Sequence, residues 1–181
     1  MTLSTLLAVL LSSVSSAPAC AIDRLIYQLP GAPGVTAGFA RQRVRTSYSS
    51  DLVFWMTTPR RTYWFAFSAP NGYGGTFISP DIDPRVARQK TDAELDAEDR
   101  DVAQGDEELI ALEFDAFHAD LTSYDAPPRS SDPAPARLFA RRLGSSLWYN
   151  PVGLSGGDAA ARQEAIPIAM FKPLRCRGLA H

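Results

Sequence analysis

Between residues 22 and 80 the chain is rich in β-branched and aromatic side chains and punctuated by Gly and Pro, the pattern of strands joined by turns. Leu25-Ile26-Tyr27-Gln28-Leu29 stops at Pro30, and Pro30-Gly31-Ala32-Pro33-Gly34 reads as a loop. Val35, Ala37 and Phe39 share one face of a loosely alternating segment that runs from Val35 to Thr46. Asp51 to Thr57 and Arg61 to Ser68 are two aromatic strands joined through Thr58-Pro59-Arg60, so a hairpin is expected. Asn71-Gly72 and Gly74-Gly75 turn the chain back into Thr76-Phe77-Ile78. The zone predicts an antiparallel meander.

The pattern breaks over residues 81–107. Acids crowd Asp92 to Glu108 with few large apolar side chains, too little hydrophobic area to offset the entropy of ordering. An exposed acidic loop or a short frayed helix is expected there. Structure resumes with Ile110, Leu112, Phe114 and Ala116 at period two, a strand. Asp132 as cap, Pro133 in the first turn, the stripe Ala136, Phe139, Ala140, Leu143 and a stop at Gly144 predict a helix over 133–143. Leu147-Trp148-Tyr149 reads as a strand, 153–157 as a Gly-rich loop, Asp158 as the start of a short helix, and Ile166 to Phe171 as a final strand. These elements predict an α+β domain: a mostly antiparallel sheet of five to seven strands with one main helix packed on a face. A β-sandwich or small β-barrel is the alternative.

The first 21 residues stand apart from this domain. They carry no charged side chain, Leu3 to Leu11 is apolar, Ser12 to Ser16 is polar, and Ala17-Pro18-Ala19 and Ala19-Cys20-Ala21 are overlapping small-residue cleavage patterns. Residues 1–21 therefore read as a signal peptide followed by one globular domain over 22–181, although no Lys or Arg precedes the apolar run. A spanning helix needs ~20 apolar residues, and this run ends well short of that. Export to a periplasmic or extracellular space follows. A membrane enters only if the segment is retained or Cys20 is lipidated, and Ala17-Pro18-Ala19 is a poor lipobox.

The compartment governs how the two cysteines are read. Cys20 and Cys176 sit near opposite ends of the chain, and an oxidising space would pair them if cleavage falls after Ala19, whereas cleavage after Ala21 would remove Cys20 and leave Cys176 unpaired. Closing so long a loop contributes about 4–5 kcal/mol in the chain-entropy picture. Composition adds little beyond this. A formal net charge of −2 gives no basic excess for a nucleic acid or a membrane. No cofactor is implied. Asp92-Ala93-Glu94-Leu95-Asp96 opens like a calcium loop but lacks the Gly and the closing Glu that such loops need, and Asp81 with Asp83 reads better as a turn before Pro84. No zinc spacing exists, so no metal is expected.

Candidate chemistry is thin. His118 with Asp120 forms an imidazole–carboxylate unit suited to acid–base work, set against a histidine idling at a sheet rim. Gly153-Leu154-Ser155-Gly156-Gly157 matches a G-x-S-x-G elbow, but only 26 residues follow, too few for the downstream acid and histidine of that fold. Arg41, Arg43 and Arg45 alternate, so a strand would place three guanidinium groups on one face for an anionic partner, unless the acidic loop covers them. Trp64 and Tyr73 offer aromatic faces for a carbohydrate or peptide. The leading expectation is an exported non-catalytic binding or cell-envelope accessory protein. An exported hydrolase using His118 with Asp120, or Ser155, is the alternative, and a structural envelope protein the third class.

Overall fold

The computed structural model describes residues 20–43, 49–69, 75–95, 97 and 111–178. Eight antiparallel strands form one sheet: β1 (Leu25–Leu29), β2 (Ala32–Arg41), β3 (Leu52–Thr57), β4 (Thr62–Ser68), β5 (Thr76–Asp81), β6 (Leu112–Phe117), β7 (Arg137–Ala140) and β8 (Lys172–Cys176). The order is β7-β6-β5-β4-β3-β2-β1-β8, so chain neighbours pair from β1 to β7 and the last strand returns to the first. A bridge between Leu138 and Phe171 then joins the two sheet edges. The result is a nearly closed up-and-down barrel, an arrangement that removes most unpaired edge.

Register decides what fills it. Phe39 pairs with Phe54, and Phe54 with Phe65, so all three point inward. Gly38, Trp55 and Trp64 are paired one position away and point outward. Tyr27, Phe67, Phe114 and Phe171 join the inward set, all buried. Phe54 and Phe114 stand with ring centroids 5.0 Å apart, and Phe67 meets Phe114 edge-on at 5.2 Å. An eight-stranded barrel is just wide enough for side chains to fill or for one small ligand. Here aromatic rings take that space.

Both ends are capped. At one end a 3₁₀ turn (Ile22–Arg24) buries Ile22, and residues 118–136 fold across the opening. Tyr27 donates its hydroxyl proton to the Pro135 carbonyl at 2.8 Å, and Ser50 bonds the Pro128 carbonyl at 2.5 Å. We call this the disulfide end, because Cys20 and Cys176 are bonded there with Cα atoms 5.9 Å apart. At the opposite, hairpin end, where β1–β2 and β3–β4 turn, helices α2 (Leu143–Tyr149) and α3 (Pro151–Leu154) bury Leu143, Leu147 and Leu154. No described helix is long and apolar enough to cross a membrane.

Four expectations need correction. The sheet has eight strands rather than five to seven, and the barrel alternative is the one that fits. The helix expected over 133–143 is instead β7, with Leu138 and Ala140 buried at period two. Pro133 and Pro135 break any helix there, the Asp132 carboxylate accepts from the Arg129 amide upstream, and pairing with β6 supplies the hydrogen bonds. Leu147-Trp148-Tyr149 is helical, and the final strand is Lys172–Cys176 beyond Phe171. Within the acidic segment, a short helix α1 (Pro84–Ala87) is capped by Asp83, and Leu95 is 1% exposed, while 98–110 lie outside the described residues.

Candidate functional site

With the interior filled, concave surface is left on the outside, and one cleft lies at the hairpin end beside Trp64. Trp64 on the outer face of β4 pairs in register with Asp81 of β5, which sets an indole beside a carboxylate. Ile82, Asp83 and Val86, leading into α1, form one wall. Leu154 and Ser155 at the end of α3 form the other, and Arg61, Thr62 and Tyr63 line the floor. The cleft encloses about 280 Å³.

Local bonding holds the floor rigid. Tyr63 points inward and donates to Glu164 Oε1 at 2.8 Å, both residues being buried. Burial raises the Tyr63 pKa, and the adjacent Glu164 pushes it further up, so the phenol keeps its proton. The Arg61 guanidinium lies 5.6 Å over the Tyr63 ring and pairs through Nη2 with Asp158. That pairing, helped by the Ala160 amide, holds the Asp158 carboxyl below its ordinary range. Arg61 Nη1 is buried and makes no hydrogen bond among the described residues.

Of the other candidates, Ser155 lies in the cleft wall and the rest fall elsewhere. His118 follows β6 at the disulfide end, is exposed, and stacks on Tyr124 with ring centroids 4.0 Å apart. Asp120 accepts from the Thr122 amide at 3.0 Å and its hydroxyl at 2.7 Å, and these bonds lower its pKa. No hydrogen bond joins His118 to Asp120 among the described residues. Ser155 donates to the Val152 carbonyl at 2.8 Å, so its proton is held by backbone. It follows helix α3 rather than a strand, which removes the strand-to-helix turn that a nucleophile elbow requires. Ser155 and His118 lie at opposite ends of the barrel.

Arg41 pairs with Asp23 at 2.7 Å and Arg43 with Asp92 at 3.3 Å, both near the disulfide end. Trp64 is therefore not brought together with the arginine stripe. Tyr73 and Arg45 lie outside the described residues. Arg61, Tyr63 and Glu164 escaped the sequence reading, because a salt bridge across 97 positions and a bond across 101 leave no local signature. Asp83 bonds the Arg85 amide and side chain, as a helix cap does, and no three metal-type side chains cluster among the described residues.

Comparison with protein-family models, curated proteins and solved structures returns no match. The fold and cleft themselves define the class: an antiparallel up-and-down barrel, filled with aromatic side chains, disulfide-closed and carrying an open cleft on its outer wall. A disulfide is typical of exported proteins.

Proposed function

We propose that this is an exported, non-catalytic binding protein that takes a neutral carbohydrate chain in the outer cleft beside Trp64. The observation that carries this reading is the Trp64–Asp81 pair, an indole with a carboxylate at its edge over a guanidinium floor. A pyranose ring offers an apolar face of C–H groups to an indole and vicinal hydroxyls to carboxylate and guanidinium groups, so one residue chemistry matches the other. The cation of the floor, Arg61, is already paired with Asp158, which disfavours an anionic sugar at this position. Rigid support from Tyr63 and Glu164 means that little ordering is required on binding.

Intrinsic tryptophan fluorescence titrated with neutral hexasaccharides of glucose and of N-acetylglucosamine tests the reading. Saturable binding that Trp64→Ala weakens about ten-fold or more is expected, the equivalent of ~1.4 kcal/mol. Identical titrations of parent and Trp64→Ala, or no saturation with either sugar, would overturn it.

A further inference from the structure

The formal net charge hides a strongly segregated surface. From Ala165 to His181 the chain contains Lys172, Arg175 and Arg177 and no Asp or Glu. Ala169 and Phe171 face the core, so the alternate positions point out: Ile168 is 89% and Met170 41% exposed. Lys172 follows on β8, and then Leu174, 46% exposed, at the bulge where the β1–β8 register shifts. The shift sets Arg175 beside outward-facing Ile26. Arg177 extends over the Trp55 ring at 4.8 Å, and its amide donates to the Arg24 carbonyl, which brings Arg24 alongside. No carboxylate among the described residues pairs with Arg24, Lys172, Arg175 or Arg177. Single exposed aliphatic side chains need no explanation, but three along one strand path, interleaved with cations, form a continuous amphipathic stripe.

We propose that this stripe is a docking surface for an anionic phospholipid bilayer. A soluble polyanion would match the cations yet leave Ile168 and Leu174 in water. A bilayer interface takes both, since headgroup phosphates meet the guanidinium groups while aliphatic side chains enter the boundary of the acyl region. The long stems of Lys172 and Arg175 allow their charges to stay at headgroup level while Leu174 sits deeper. The placement of Cys20 agrees with this. Its bond to Cys176 fixes the start of the barrel to the same strand, so the chain that precedes it joins the barrel beside the stripe. A sulfur bonded to Cys176 carries no lipid, so contact with the bilayer falls to side chains. The surface is separate from the Trp64 cleft and does not depend on it.

Co-sedimentation of the full chain with vesicles of phosphatidylglycerol and phosphatidylcholine, against phosphatidylcholine alone, is the test. Binding to the anionic vesicles should be at least ten-fold tighter and should weaken with salt. Each cation near such a surface contributes about five-fold, so Lys172→Gln with Arg175→Gln should weaken binding by on the order of 25-fold. Ile168→Ser with Leu174→Ser should weaken it at every salt concentration, and Trp64→Ala should leave it unchanged. All four stripe positions are exposed, and unfolding temperatures report that the variants fold; Lys172→Gln alone, about five-fold weaker, serves if a double variant does not. Equal binding to both kinds of vesicle overturns the proposal. So does salt-sensitive binding that the Ile168/Leu174 variant leaves intact, which would mark a soluble polyanion as the partner.

Discussion

Asp51 shows how one side chain ties a cap to the barrel. Its partial burial favours the neutral acid, but the Ser130 hydroxyl and amide both donate to the carboxylate, and these bonds outweigh burial and lower its pKa. A carboxyl with a depressed folded pKa gives stability that is present above the ordinary carboxylate range and lost as pH falls through the folded value. The amides of residues 129–131 should therefore lose protection against hydrogen exchange, relative to their intrinsic rates, below about pH 4, where an unfolded Asp begins to protonate. Ser130→Ala should flatten that dependence, and an unchanged pH profile in the variant would show that the contact does not matter. None of this was readable from the sequence, because Asp51 and Ser130 are 79 positions apart. Trp64 was legible, since an alternating aromatic strand must present one indole outward. Its neighbours in the cleft were not, because a register that puts Asp81 beside it is settled only when the whole sheet closes.

At the level of elements, the strands of the first half and β6 were legible, and the elements after residue 132 were not. The strands at 52–57 and 62–68 follow from tight alternation around a Pro-containing turn, where local chemistry and tertiary pairing agree. β7 is the counter-case. Ala136, Phe139, Ala140 and Leu143 fit a helical stripe, while Leu138 and Ala140 fit a strand, and four residues are too few for periodicity to choose. The unpaired edges of β6 and β8 made the choice, since a strand there joins both. Phe171 holds that seam, bonded in both directions to the Leu138 backbone and 6.2 Å from the Phe54 ring. Phe171→Ala should cost about 3–5 kcal/mol, with exchange protection lost first in β7. A variant within 1 kcal/mol of the parent in denaturant unfolding, a figure well below that cavity range, would show that the seam is dispensable.

Across the whole molecule, two long-range features govern stability and use. The disulfide closes the chain over 156 residues and staples β8, whose other edge has little pairing, to the start of the barrel. Chain entropy gives about 4–5 kcal/mol for such a loop, so Cys20→Ser with Cys176→Ser should lower stability in that direction and fray β8 before the Phe-rich interior. Equal urea midpoints for the oxidised protein and this variant would contradict that. The pairing was legible from two cysteines placed near opposite ends of the chain. The filled interior was not, because the number of strands sets barrel width and the sequence left that number open. Net charge is silent on distribution: a total of −2 conceals a C-terminal stretch without a single acid.

A barrel packed with Phe39, Phe54, Phe65, Phe67 and Phe114 has its interior filled, so the proposed sugar site lies on its outer wall. Chemical-shift mapping of the isotope-labelled protein, titrated with whichever neutral hexasaccharide saturates the fluorescence, tests it most directly. Shifts confined to Trp64, Asp81, Ile82 and Ser155, with the inward phenylalanine ring resonances unmoved, are the expected result. Shifts centred on those buried rings, or contacts between sugar protons and the barrel interior, would contradict the account.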